Sequence, residues 1–67
     1  MNIYQTLIQS IAPDHDPRHI EAFMRLEYGT LDHLSPAKFR RECGIAADCI
    51  KQGGVNRAED LAQSFGL

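Results

Sequence analysis

Residues 16–29 have the sequence DPRHIEAFMRLEYG, which predicts a helix with a clear start and a clear end. Asp16 is of a type that caps helix N-termini, Pro17 suits the first helical position, and Gly29 suits a left-handed cap at the helix end. At about 100° per residue, the apolar side chains cover roughly 240° of the helix circumference. They are Ile20, Ala22, Phe23, Met24, Leu26 and Tyr28. A helix that is apolar on so many sides is usually surrounded, so we predict that it lies at the centre of a bundle.

The flanking segments predict three more helices around this one. Apolar residues repeat at helical spacing from Ile3 to Ile11, and Pro13 prevents the helix from continuing. Ser35-Pro36 repeats the cap-plus-proline start, Gly53-Gly54 ends the third helix, and Asn56 with Glu59 forms a capping-box pattern. We therefore predict one all-α domain over residues 1–67. It is a compact bundle of four short helices at about 2–11, 17–28, 36–52 and 56–65, with the second helix central and no sheet.

The same periodicity predicts which side chains form the core. The expected core residues are Ile3, Leu7, Ile20, Phe23, Met24, Phe39, Cys43, Ile50, Leu61 and Phe65. Glu27 breaks the apolar pattern of the second helix, near its C-terminus, where the helix dipole disfavours an acid. Two interpretations stay open: Glu27 reaches solvent at a fraying end, or it pairs with Arg40 or His33.

The cysteines and the overall charge indicate the surroundings of the protein. Cys43 and Cys49 are six positions apart in one predicted helix, so their Cα atoms lie roughly 9 Å apart, beyond the ~7 Å limit for a disulfide. Two thiols that cannot pair suit a reducing compartment. The N-terminal segment lacks the features of a signal peptide, and no stretch approaches the ~20 apolar residues of a membrane span. We expect a cytoplasmic protein with no membrane partner.

Metal-ligand types gather around the start of the second helix. Asp14, His15, Asp16 and His19 lie within six residues. Asp16 already has a capping role, however, and His15 lies outside the helix. Structural zinc sites also use close cysteine spacing, which Cys43 and Cys49 lack. We expect a polar loop before a capped helix and no metal site.

Cys43, His33 and Asp32 supply the residue types of a nucleophilic site. Cys43 falls on the predicted apolar face of the third helix, where burial disfavours the reactive thiolate. A domain of this size also has little room for a ligand cavity of about 300 Å³ or more. We therefore expect no catalytic residue, no cofactor and no enzymatic activity.

The C-terminal segment, RAEDLAQSFGL at residues 57–67, resembles the first helix and turn of helix-turn-helix DNA-binding regulators. The resemblance lies in Leu61-Ala62 and in Phe65-Gly66-Leu67, and it covers 11 of 67 residues. That family reads DNA with the helix after the turn. Because the sequence ends at Leu67, no DNA-contacting residue is carried over, and an amphipathic helix ending at a glycine is the other interpretation.

The net charge of −2 and the pI of about 5.8 also argue against nucleic acid as a partner. Lys38, Arg40, Arg41 and Lys51 lie on the third helix, but they do not form one stripe that could follow a phosphate backbone. A solvated helix face explains them as well.

The third helix carries the candidate interaction surface. Ile45 lies roughly 120° from the inner face of that helix, and Cys49 lies beside it. The predicted partner-binding residues are Arg41, Ile45, Asp48, Cys49 and Gln52.

The small size and acidic balance resemble accessory proteins that phages and bacterial mobile elements encode, a resemblance of type that assigns no residue. We expect a small non-catalytic module that binds another protein, as a regulator or inhibitor that occupies the partner's surface. Two alternatives stay open. One is a DNA-associated helical protein, in dimeric form, that uses the third helix or the C-terminal helix. The other is a structural homodimer.

Overall fold

The computed structural model describes residues 1–67 and contains helices and turns but no strand. Helix α1 spans Ile3–Ile11, α2 spans Pro17–Tyr28, α3 spans Pro36–Cys49, and α4 spans Val55–Ser64. The predicted all-α class is confirmed. None of these helices combines the length and the apolar character that crossing a bilayer requires.

The predicted break at Gly53-Gly54 is a kink. A short turn, Ile50–Gly54, joins α3 to α4 directly across a kink, with no loop between them. Three residues leave helical geometry: Gln52 (φ −87°, ψ 15°), Gly53 (φ 111°, ψ 14°) and Gly54 (φ −88°, ψ 11°). Gly53 adopts a positive φ that glycine tolerates because it has no Cβ. The predicted count of four separate helices is therefore wrong: the chain forms three helical stretches, and the third is kinked.

The helix starts follow their capping residues, with one exception. The Asp16 carboxylate accepts a hydrogen bond from the Arg18 backbone N–H at 2.9 Å, and the Ser35 hydroxyl accepts one from the Lys38 N–H at 3.2 Å. The predicted capping box of α4 is not formed, because the helix begins at Val55 and its N-cap is Gly54, which has no side chain to offer. Glu59 instead reaches across to α2.

Helix α2 packs against α1, α3 and α4, in agreement with its predicted central position. Five of the ten predicted core side chains are buried, and two others, Phe23 and Leu61, are half-buried. The main buried cluster consists of Ile8, Ile20, Met24, Leu31, Phe39, Cys43, Ala46, Ile50 and Ala58.

The predicted core was wrong for α1 and for the C-terminal end. Ile3 is 70% exposed and Leu7 47% exposed, whereas Ile8 is fully buried. The cause is Gln5, whose side-chain amide donates a 2.8 Å hydrogen bond to Glu21 of α2. This bond directs the face of α1 that carries Gln5 and Ile8 towards α2. Phe65 is also exposed, since it lies beyond the last residue of α4.

Glu21, and not Glu27, is the acidic residue inside the bundle. Its side chain is fully buried and accepts hydrogen bonds from Asn2 Nδ2 at 3.2 Å, Gln5 Nε2 at 2.8 Å and Arg25 Nε at 2.9 Å. Glu27 is exposed and pairs with neither Arg40 nor His33, so the solvent interpretation is confirmed, although the last turn of α2 is intact.

Candidate functional site: the α2–α3 face

The outer face of α3 carries the residues predicted to bind a partner. All five are exposed, and Ile45 is 50% exposed. Arg41, Ile45, Asp48 and Cys49 lie on the helix, one turn or less apart. Gln52 lies beyond the end of α3, in the kinked turn. The structure therefore places Ile45 and Cys49 side by side and sets Gln52 apart from them.

Ile45 and Cys49 also form one side of a shallow groove between α2 and α3. The groove holds about 90 Å³. On the α2 side it is lined by Phe23, Met24, Glu27 and Tyr28, and on the α3 side by Glu42, Ile45, Ala46 and Cys49. The α2 side was not predicted as part of the site, because a helical wheel does not show which neighbouring helix lies opposite. The one available signal was the breadth of the apolar arc of α2, which exceeds what a single neighbour can cover.

The rim of this groove is acidic. Glu27 makes no hydrogen bond or ion pair, and the one ion pair of Glu42 is with Arg41, at 3.5 Å. As a hydrogen-bond acceptor, the Glu42 carboxylate raises the pKa of Tyr28. A partner that covers the groove would therefore complement it with an apolar side chain over Ile45 and a cation near Glu27.

The predicted basic cluster on α3 is partly engaged within the chain. The Lys38 ammonium lies 5.1 Å from the centre of the Tyr28 ring, and Arg41 pairs with Glu42. Arg40 and Lys51 make no such contact. Two of the four cations are therefore held by groups within the chain, and two are not.

The Cys43 thiol is unsuited to nucleophilic catalysis. It is fully buried and contacts the Met24 sulfur at 3.7 Å. Burial raises the pKa of Cys43 to about 11, so the thiol stays protonated near neutral pH.

A second polar cluster joins the start of α2 to α4. Of the four metal-ligand types noted in the sequence, only Asp16 and His19 come together, and Glu59 of α4 joins them with all three ligand atoms within 4.8 Å. His19 Nε2 lies 2.9 Å from Glu59 Oε1. The Arg18 guanidinium donates to both carboxylates, at 3.1 Å to Asp16 and 2.9 Å to Glu59.

Arg18 decides what this cluster does. A guanidinium already held between the two carboxylates repels a metal cation and satisfies the oxygens that would bind it. Hydrogen bonds from His19 and then Arg18 lower the pKa of Glu59 to about 2. The cluster is therefore an ion-pair network between two helices, and the absence of a bound metal stays a prediction.

No protein-family model, curated protein or solved structure matches this chain.

Proposed function

We propose that this protein is a small non-catalytic module that binds another protein through the α2–α3 face and acts as a regulator or inhibitor by occupying its partner's surface. The observation that carries the proposal is the continuity of exposed Ile45 and Cys49 with the groove against α2. An aliphatic side chain beside a groove is suited to become the centre of an interface, where a few buried residues supply most of the binding energy.

The size of the chain fits this role. A standard interface covers about 800 Å² on each partner. The surface of this chain measures 4196 Å², so such an interface would take about a fifth of it. Glu27 adds selectivity, because its free carboxylate favours a partner with a Lys or Arg beside the apolar contact.

Ile45→Asp tests the proposal, with Leu26→Asp as the matched control. Both side chains are 50% exposed on helices, but Leu26 lies outside the groove. The immobilised chain is used to capture partners from the native host, and each captured protein is then purified for measurement of its Kd. Ile45→Asp is expected to weaken binding by about 2 kcal/mol or more, roughly thirtyfold in Kd, because it buries an unpaired carboxylate.

Leu26→Asp should leave the Kd unchanged, and thermal melts of both variants should match the parent, since both positions are exposed. Partners that bind the parent and Ile45→Asp equally would overturn the proposed surface. A melt lost in Ile45→Asp would also overturn it, because it would place Ile45 in the core.

A further inference from the structure

Helix α1 presents more apolar surface than the fold covers. Ile3 and Leu7, one turn apart on the same side of the helix, are 70% and 47% exposed. Met1, which precedes the helix, is exposed as well. Only the side of Ile8 is fully buried, so α1 has an inner face against α2 and an outer apolar face without a neighbour.

Next to this outer face lies an open groove of about 370 Å³ between α1 and residues 31–40. Its apolar lining includes Leu7, Ile11, Leu34 and Phe39. The groove exceeds the roughly 300 Å³ for which the sequence had indicated little room. The expectation was wrong because the space lies on the surface, where α1 and α3 diverge, and does not have to be enclosed by a small core.

Two charges of opposite sign line the same groove. Arg40 makes no hydrogen bond or ion pair within the chain, and the one ionic contact of Asp32 is with His33, at 3.8 Å. A ligand of a single charge would satisfy one of them and be repelled by the other. A surface that carries one unpaired cation, Arg40, and one anion with a single long contact, Asp32, complements a copy of itself.

We propose that the protein forms a two-fold homodimer in which the outer face of α1 covers the α1–α3 groove of the partner subunit. In a two-fold interface every contact occurs twice with the roles exchanged. Leu7 of each copy then enters the groove of the other, and Asp32 faces Arg40 of the partner subunit in both halves. This interface is separate from the α2–α3 face, so it stands independently of the proposed function.

Sedimentation or light scattering over a range of concentrations measures the dimer directly. The parent chain is expected to reach twice the 7.5 kDa chain mass. Leu7→Asp should abolish association while leaving the monomer folded, with a melt that no longer depends on concentration. Leu26→Asp, at a similar exposure but outside the groove, and Ile45→Asp, on the other face, should both keep the dimer.

Charge exchange provides the sharper test. Arg40→Asp and Asp32→Arg should each weaken the homodimer at least tenfold, because each places like charges together twice. An equimolar mixture of the two variants should regain association. In that mixed dimer both contacts again join an aspartate to an arginine. No merely local effect of either substitution predicts this recovery.

A parent chain that stays monomeric at every concentration would overturn the homodimer, as would a mixture that does not recover. The apolar dye ANS tests the alternative that a small apolar ligand, and not a second copy of the chain, occupies the groove. If the parent chain stays monomeric at every concentration, binds ANS and loses that binding in Leu7→Asp, the groove is open to a small apolar ligand and the homodimer is overturned.

Discussion

The buried Glu21 carboxylate fixes how α1 docks on α2. Charged groups lose hydration when they are buried, so they need hydrogen bonds and a counter-ion. Asn2 and Gln5 of the α1 end supply amide donors, and Arg25, one turn along α2, supplies the charge. In the sequence both Gln5 and Glu21 are ordinary surface types. Their pairing depends on the approach of two helices, which no local pattern reveals.

Arg25→Met tests the importance of this counter-ion. The substitution keeps an apolar stem but leaves Glu21 buried without a cation. We expect the free energy of unfolding to fall by about 2–4 kcal/mol, because the Glu21 carboxylate would stay buried without the cation that compensates for its lost hydration. Urea titration measures this change.

Arg57→Met is the matched control for Arg25→Met, because Arg57 is exposed and makes no ion pair or hydrogen bond. It should change stability by less than about 0.5 kcal/mol. Equal stability of the two variants would show that Glu21 does not need Arg25.

At the scale of the elements, the ends of the helices could be predicted and their inner faces only in part. Prolines and capping residues act within a few positions of the chain, so the predicted 17–28 agrees with α2 at both ends. The face that a helix buries depends on its neighbours. In α1, the hydrogen bond from Gln5 to Glu21 sets which face is buried, and the apolar repeat of Ile3 and Leu7 is left exposed.

Two glycines of the third helical stretch, Gly44 and Gly54, differ in the space around them for a Cβ atom. A Cβ at Gly44 would have no atom within 4 Å, whereas a Cβ at Gly54 would lie 2.9 Å from the Cys49 carbonyl oxygen. It would also lie 3.3 Å from the Phe23 ring. Gly54 therefore allows the close approach that the kink requires, and Gly44 only adds flexibility to an exposed helix.

Gly44→Ala and Gly54→Ala should thus change stability in opposite directions. Gly44→Ala should stabilise the fold by about 0.5–1 kcal/mol through helix propensity. Gly54→Ala should destabilise it by about 1–3 kcal/mol, since the backbone carbonyl cannot move aside. Thermal melts of both proteins measure the effects. A stabilising Gly54→Ala would show that the kink opens without cost.

At the scale of the whole molecule, the candidate sites are surfaces between helices. The exposure of Ile45 and Cys49 was predictable from one helix, but the α2 side of their groove was not. The α1–α3 groove was missed altogether, because it depends on how α1 is rotated. Both grooves thus follow from packing, and the buried Glu21 pair that sets the rotation of α1 also leaves Leu7 at the second groove.

The ion-pair network of Asp16, Arg18, His19 and Glu59 ties the start of α2 to α4. Arg18 bonds Glu59 of α4 and also donates to the Leu67 carbonyl at 3.3 Å. The C-terminal turn is therefore held against the start of α2. This contact gives the segment that resembles a helix-turn-helix start a structural role in the fold.

Because of this network, the stability of the fold depends on the protonation of Glu59 at low pH. Hydrogen bonds from His19, Arg18 and Gln63 lower the pKa of Glu59 from 4.5 to about 2 in the folded chain. A carboxylate with a depressed folded pKa stabilises the fold fully above its unfolded pKa. That contribution is lost as the pH falls from 4.5 through about 2.

Glu59→Gln removes this titration, so we expect its melting temperature to fall less steeply than that of the parent as the pH drops over this window. The exposed neighbour Asp60 has no ion pair, and Asp60→Asn should keep the parental dependence. Partial burial raises the pKa of Asp16, but hydrogen bonds from Arg18 outweigh it and lower the pKa, so some acid dependence persists in Glu59→Gln. Melts recorded from about pH 6 to pH 2 measure all three slopes. If Glu59→Gln kept the full parental slope, the acid sensitivity would lie outside the network and Glu59 would not couple α4 to α2.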